Sequence, residues 1–551
     1  MPPLDDSTEG SPSRAPGQLA EAGPITLAVL ASRVLGVLRE TIFAVLFGAS
    51  WVADAYVIAF RIPNLLRDMF AEGALSAAFV PSFTERQTKE GRESAQRLFS
   101  LTLGAALTLT GILTVLAIIF AGTVVDLIAP GFAASAEKHE LATSLTRVMM
   151  PFLPLISATA LVMGVLNSNR RFFVPAAAPA LFNVVSIVAG AAIYLVTSEP
   201  VAAAWAWSVA VILAGLAQIA VQIPALGKTG YRLRLVLRGA WEDPGLRRIA
   251  QLMGPAVLGL AIVQINIFVN SVFASLLGDG PLSHLNYAFR VYYLPIGLFG
   301  VALGTVATTA SAEAAARGDL DALKTNTSRA LRNVFLLTLP SVTGLIALSM
   351  PTVRLLFEYG RFTPADTTDT ALVLSAYVTG LTFASVTKVL APVFYALDRP
   401  RFPVAASITA VIVNIAFNWA TYRTLGAPGL ALGTALGSLA GAAVQLTAAG
   451  RLLPGFGMGS LAVSFLRLLL AAALTGGAAW GLWQMLEANL GTMLASVAGR
   501  IPARLLVTFL PIGAAVAIYA LLLRLVKAPE ADELFELLGK VRRKVMGRTG
   551  P

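Results

Sequence analysis

IFAVLFGASWVADAYVIAFR, residues 42–61, and VFASLLGDGPLSHLNYAFR, residues 272–290, are two copies of one pattern. Phe43 falls on Phe273, Ala44 on Ala274, Gly48 on Gly278, and Phe60-Arg61 on Phe289-Arg290, at an offset of about 230 residues. A second block repeats nearly the same offset: RRFFVPAAAPALFN at 170–183 resembles RPRFPVAASITAVIVN at 399–414. Two independent blocks with one spacing point to a duplicated unit rather than to shared apolar composition.

The surrounding chain is built for lipid. Of its 551 residues 56% are hydrophobic and 13% charged, where a soluble domain has about half and about a quarter. A helix needs about 20 mostly apolar residues to cross a bilayer. Spans are expected near 24–48, 53–83, 99–128, 141–166, 173–197, 201–226, 250–278, 282–313, 330–357, 368–397, 403–422, 428–450, 461–486 and 504–526. The expected fold is therefore an all-α polytopic membrane protein of about fourteen transmembrane helices, two six-helix repeats plus a C-terminal helix pair. Six is even, so the repeats run parallel, as in transporters with a substrate site between lobes. The second span carries Pro63 and Gly73 and is expected to bend or break.

The expected organisation is a disordered leader (1–23), a six-helix N-lobe (24–227), an amphipathic cytoplasmic linker (228–249) and a six-helix C-lobe (250–452). A two-helix addition to a complete core (453–527) and a basic tail (528–551) follow. The leader is rich in Pro, Ser, Gly and acid, without an apolar core, so the first span is expected to direct insertion. YRLRLVLRGAWEDPGLRRIAQ, from 231, is basic and amphipathic and is expected to lie as a helix on the cytoplasmic face.

The net charge of +11 fits this reading without nucleic acid. Basic residues gather in alternate connections, among them Arg86 to Arg97, Arg170-Arg171, Lys228 to Arg248, Arg317 to Arg332 and Arg399 to Arg401. SEP at 198–200 and GDGP at 278–281 have none, so the positive-inside rule puts both termini in the cytoplasm. Cysteine is absent, which excludes disulfides and thiolate sites. Only His139 and His284 are present, so a histidine-rich metal site is excluded; no metal or cofactor is expected. His284 reads as a helix–helix hydrogen bond. No phosphate-binding P-loop occurs, which argues against direct nucleotide drive.

An ionisable residue at mid-bilayer costs about 2.5–3.5 kcal/mol on insertion scales, so each needs a reason. Arg33, Arg39, Glu40, Asp54, Arg61, Arg67, Asp68 and Glu72 crowd the first two spans, and Arg290 and Lys388 follow in the second lobe. Arginine in excess of acid makes an anion site, because the guanidinium stays charged and grips phosphate oxygens in pairs. The competing reading pairs Arg39 with Asp54 and Arg67 with Glu72, merely pinning helices. Arg61, beside Pro63, is placed equally well at a span end, snorkelling; Asp68 reads as a local partner of Arg67.

SRVLGVLRE at 32–40, FGASWVADAYVIAFRIPNLLRDMFAEGALSAAFVP at 47–81, GVALGT at 300–305 and KVLAPVFYALDRPRFPV at 388–404 resemble the MurJ (MviN) family. These are lipid II flippases of the multidrug/oligosaccharidyl-lipid/polysaccharide exporter superfamily, and the resemblance runs from about 24 to 530. It implies a bacterial inner-membrane transporter, not an enzyme, that moves an anionic lipid-linked peptidoglycan precursor by alternating access. It further implies a cationic central cavity and a C-terminal groove for the polyprenyl tail. By motif position the site residues fall on Arg33, Arg39, Asp54, Arg67, Glu72 and Arg290. Phe289 departs from the family pattern, which leads one to expect an acid before the arginine, and Tyr293 stands where some members have an acid. Membrane lipids are expected partners; a coupling cation or the membrane potential is left open as the energy source, and segment 253–278 has no acid to hold a cation. Alternatives are an exporter of another lipid-linked oligosaccharide, a drug or cation antiporter, and, from a different class, a polyprenyl-pyrophosphate membrane enzyme. The embedded acids are too few and too scattered for the last.

Overall fold

The structure is a computed structural model and describes residues 16–68, 75–297, 301–498, 500–526 and 530–531. Residues 1–15, Glu72, Gly73 and the tail beyond 531 lie outside these residues; the last part of the expected disordered leader, 16–23, is instead the start of a helix. The described chain is helical throughout, without a strand.

The duplicated pattern reappears in the backbone. Helix α1 (Pro16–Phe47) is followed by a short α2 (Trp51–Leu66), and α9 (Pro244–Ser275) by a short α10 (Pro281–Pro295). Both short helices end in a π-turn, at 67–68 and 296–297. The bend or break expected in the second span concerns Pro63, which lies inside α2, and Gly73, which is outside the described residues. Just before each short helix, Gly48 (φ 59°) and Gly278 (φ 90°) adopt a left-handed conformation that lets one helix turn into the next. The later elements recur in the same order at about the same offset. Helices α6 (Phe152–Ser168), α7 (Phe173–Val196) and α8 (Pro200–Lys228) correspond to α15 (Leu381–Ala396) and the two halves of α16 (Arg401–Leu452), which bends at Gly426.

The third expected span proves to be the distal part of α3 (Ser76–Ile119), which bends at Gly91, with a separate α4 (Ala121–Ile128) beyond it. Among the described residues nine segments are long and apolar enough to cross a membrane.

By their contacts the residues form two compact units, and these differ from the two lobes expected from the sequence. The first comprises 1–42, 63–119 and 148–257; the second comprises 43–62, 120–147 and 258–551. The first unit is centred on α3, α6 and α8, with Phe79, Phe83, Phe99, Leu161, Val165 and Leu226 in its core. The second packs α11 (Val301–Ala316), α12 (Leu320–Ala347), α15 and α16 around Leu331, Val334, Val389 and Phe394.

The C-terminal pair, α17 (Met458–Ala498) and α18 (Arg500–Leu525), belongs to that same core. Leu468, Ala472 and Tyr519 sit in it, and the Tyr519 hydroxyl donates to the Leu336 carbonyl at 3.1 Å. Arg354 pairs with Glu487 at 2.6 Å, and Arg504 with Glu358 at 2.7 Å. The pair is thus packed into the second unit through apolar, hydrogen-bonded and ionic contacts.

The linker corrects the expected helix. Residues 231–237 are extended, and α9 begins only at Pro244. YRLRLVL alternates aromatic or aliphatic residues with arginine at a period of two, which is a strand's periodicity and not a helix's. The extended chain docks on α3: Gln96 exchanges hydrogen bonds of 2.9 Å with both the N–H and the carbonyl of Arg232. A Cβ at Gly104 would lie 2.5 Å from the Val236 carbonyl oxygen, so glycine there admits the linker. Tyr231 is buried edge-on to Phe83, while Leu235, Leu237 and Trp241 are exposed.

Asp243 anchors the linker's end. Its Oδ1 accepts from the N–H groups of Gly245 and Leu246, capping α9, and both oxygens accept from Arg86 at 2.7 and 2.9 Å. Burial alone would raise this carboxyl's pKa. The hydrogen bonds from Arg86, Leu246 and Gly245 outweigh burial and hold it below the ordinary carboxylate value. A depressed carboxylate stabilises the fold at neutral pH, and that contribution is lost as pH falls through its lowered pKa. Asp243→Ala, which strands Arg86, is expected to cost on the order of 3 kcal/mol. A thermal melt of the detergent-purified protein should show the wild-type advantage over Asp243→Ala at pH 7, and its loss as pH falls through the lowered carboxyl pKa.

Candidate functional site

In the first unit, α1 carries Arg33 and Arg39. Arg33 is half-buried and makes no hydrogen bond or ion pair among the described residues. Arg39 donates from Nη2 to Glu40 Oε1 at 2.6 Å, and its guanidinium lies 5.5 Å from the centre of the Phe182 ring. Adjacent helical residues point about 100° apart, so this pair meets at its tips through a single N–H. Arg67, where α2 runs into its π-turn, donates from Nε and Nη2 to Asp68 Oδ1 at 3.1 and 2.8 Å. Asp68 is thus the local partner its position suggested. Within its unit Arg39 meets Glu40, and Glu72 lies outside the described residues.

In the second unit, Asp54 has no solvent exposure. Its Oδ1 accepts from the Ser283 N–H at 2.8 Å and the Ser283 hydroxyl at 2.6 Å. Oδ2 accepts from the Gly280 N–H at 2.8 Å and from Lys138 Nζ at 2.9 Å. Lys138 also donates to the Gly278 carbonyl and pairs with Asp279, and its ammonium lies 4.5 Å from the centre of the Phe132 ring. Asp54 is in effect the N-cap of α10, supplied from another helix. Nearby, the Tyr287 hydroxyl donates to the Gly48 carbonyl, and the Arg361 N–H to the Val45 carbonyl at 3.0 Å. Residues 45–54, 138, 278–287 and 361 are therefore fastened together. His284 makes the expected helix–helix bond, Nδ1 to Thr370 Oγ1 at 2.9 Å.

Further along these two helices sit the repeat-related arginines. Arg61 donates to Ser271 Oγ at 2.7 Å and lies within electrostatic reach of Arg290 and Tyr377. Arg290 is exposed within its unit. Phe289, standing where the family pattern has an acid, joins Tyr292, Tyr293 and Tyr377 in an aromatic cluster with ring centres 5.5–5.8 Å apart. An aromatic wall replaces the acid beside this arginine.

Lys138 is the residue that sequence reasoning missed. It stands in a polar connection, SAEKHE, and its partner is 84 positions away, so no local pattern announces it. A neutral cluster was missed as well. Asn418 donates to Asn270 and Asn414, and Asn270 to Thr434 at 2.8 Å, all without an acid. No group of three His, Cys, Asp or Glu side chains suited to a metal ion occurs among the described residues.

The chemistry on the page is arginine-rich, set on membrane helices, with one end of the second unit locked by a buried carboxylate. The comparisons agree with it. The profile of the family described as "Lipid II flippase MurJ" matches residues 43–498. The "Lipid II flippase MurJ" of Burkholderia cenocepacia is 37% identical over 412 residues, 74% of this chain and 79% of its own. The "Probable lipid II flippase MurJ" of Haemophilus influenzae is 32% identical over 468 residues, 82% and 90% of the two chains. A solved structure, "Lipid II flippase MurJ, inward closed conformation", superposes with a TM-score of 0.73 at 25% identity, covering 93% of this chain and 99% of that one. An inward-facing multidrug transporter of the MOP superfamily shares the fold, with a TM-score of 0.65 at 18% identity over 77% of this chain and 95% of its own. The chain belongs to the MurJ family of lipid II flippases.

Proposed function

We propose that this protein carries the pyrophosphate-linked peptidoglycan precursor, lipid II, from the cytoplasmic to the periplasmic leaflet by alternating access. The observation that carries the reading is the excess of arginine on α1, α2 and α10. Arg33, Arg39, Arg67 and Arg290 bind the pyrophosphate, and their acids are sequence neighbours, Glu40 and Asp68, that leave the positive excess intact. Glu72 completes this set by motif position. Arg61, bonded to Ser271 close to Arg290, extends the cationic surface. The aromatic wall at Phe289 supports apolar parts of the cargo beside the charged ones. Translocation needs no covalent step, and its energy comes from the membrane potential or a coupling cation. The polyprenyl tail runs along α17 and α18, whose exposed Leu466, Leu470 and Leu474 suit it.

In this reading Asp54 is a latch and not a ligand, since four protein donors already occupy its two carboxylate oxygens. The latched set, residues 45–54, 138, 278–287 and 361, faces the periplasm. The basic connections and the linker face the cytoplasm, and both termini lie on that side.

Four measurements test this. Cysteine introduced at Ser198 is expected to react with an impermeant thiol reagent in intact cells, and cysteine at the exposed Trp241 only after permeabilisation; the reverse pattern overturns the orientation. The native chain has no cysteine to confuse the readout. Alanine at Arg33, Arg39, Arg67 or Arg290 is expected to abolish growth of a flippase-depleted strain at normal membrane abundance. Lysine should rescue only in part, keeping the charge but losing the paired contact. If Arg39→Gln with Glu40→Gln restores growth, Arg39 is a structural partner and not a ligand. Lys138→Ala should reproduce the growth defect of Asp54→Asn, because both break the latch; full growth of Lys138→Ala alongside loss in Asp54→Asn would return Asp54 to the substrate.

A further inference from the structure

An unbalanced charge sits on the extended segment between the two copies of the repeat. Residues 231–241 hold three arginines and no acid. The guanidinium groups of Arg232, Arg234 and Arg238 are exposed and make no ion pair or hydrogen bond among the described residues. Other basic groups of the same unit behave differently: Lys89 and Arg248 share Glu85, and Arg86 holds Asp243. In an extended chain alternate side chains share a face. The three arginines therefore line one face, and Tyr231, Leu233, Leu235 and Leu237 the other. Tyr231 is buried, but Leu235 is 67% exposed, Leu237 57% and, just beyond, Trp241 84%. A protein surface in water rarely gathers such groups without a partner.

The segment's place in the fold identifies that partner. It runs along α3 from Gln96, which holds Arg232, past Ser100, whose carbonyl accepts from the Val236 N–H at 3.4 Å, to Gly104. Arg97 is the last charged residue of α3, and residues 98–119 carry none, about the length that crosses a bilayer. Further along, Leu109, Ile112 and Val115 of α3 are exposed. From Gln96 to Gly104 the helix rises about 12 Å, so the segment starts beside the last charge and ends within the uncharged stretch. It straddles the level at which headgroups give way to acyl chains, the depth at which amphipathic segments lie. Gly230 and Gly239, φ 82° and 80°, bracket it and turn the chain at both ends. Arg92 and Arg97 of α3 come up beside these two glycines, with Glu242 close to the second.

We propose that 231–241 is a docking surface for anionic lipid, with its leucines at the edge of the acyl chains and Arg232, Arg234 and Arg238 on the phosphates above them. A guanidinium takes two phosphate oxygens at once. Arginines two residues apart on an extended chain stand about 6.6 Å from one another, enough to meet separate phosphates. Trp241 sits at headgroup level, where aromatic side chains anchor. A zwitterionic lipid offers the same phosphate but cancels its charge, so the surface prefers a headgroup of net negative charge, each arginine adding about fivefold. The surface is separate from the arginines assigned to the flipped precursor. Its assignment to the cytoplasmic leaflet rests on the orientation above; its affinity for anionic lipid rests neither on that nor on what the protein transports.

The chain has no cysteine, so Leu235→Cys in the full-length protein takes a single nitroxide label. Electron paramagnetic resonance then compares the label's accessibility to oxygen, which enters the acyl region, with that to a water-soluble nickel chelate. In liposomes of equal phosphatidylglycerol and phosphatidylcholine, the oxygen-to-nickel ratio is expected to exceed that in phosphatidylcholine alone by on the order of fivefold. Arg232→Gln with Arg234→Gln and Arg238→Gln should remove the difference. Salt at about 0.5 M should shrink it in the protein that keeps its arginines, which tests the charge even where gel filtration and melting temperature show that the triple variant fails to fold. A label that favours the nickel chelate in both lipids, or that is equally immersed in both, overturns the proposal. So does a phosphatidylglycerol effect that survives both salt and the folded triple variant. Protection from both reagents that grows with protein density in the bilayer shows a second copy covering the segment, and overturns it too.

Discussion

A carboxylate wholly cut off from solvent must find its donors within the protein, and Asp54 finds four: two backbone N–H groups, a hydroxyl and an ammonium. An unpaired charge at that depth would cost several kcal/mol, so the segments supplying those donors cannot drift apart singly. That constraint fixes where α10 starts. The start of α10 in turn sets the position of Arg290 and the Phe289–Tyr377 aromatic wall further along it. The same helix ends in a π-turn, as α2 does. Both short helices are thus tied together at one end by a buried charge and change their hydrogen-bonding pattern at the other.

The charge distribution has a consistent logic. Where the fold has to be fixed, positive and negative groups from distant segments meet: Arg86 with Asp243, Arg504 with Glu358, Lys138 with Asp54. On α1 and at the end of α2, the acid comes from the next residue instead. A neighbour in sequence adds nothing to the joining of helices, and its proximity is guaranteed by the chain. Arg39 and Arg67 are thus each accompanied by an acid that the chain itself keeps close.

Much of this was legible in the sequence, because the bilayer makes its demands openly. Apolar runs of helix length and the duplicated Phe-Ala-Gly pattern pointed to the helices and the repeat. The linker was misjudged because its amphipathicity was read at helical period, when arginine and leucine alternate from Tyr231 to Leu237. Lys138 was invisible because an ion pair across 84 residues leaves no local trace. The role of α17 and α18 was likewise hidden: a lipid-facing helix and a core-facing helix have nearly the same composition, and only packing distinguishes them.

The two copies of the repeat are instructive where they disagree. Arg170 and Asp398 occupy equivalent turns, and both hold a left-handed backbone, φ 57° and 55°, that a side chain with a Cβ rarely adopts. One copy carries a cation there and the other an anion, yet the bend is the same. Ancestry in this chain has been preserved as shape while the chemistry was free to invert. At this turn the two copies have become electrically unlike without becoming geometrically unlike.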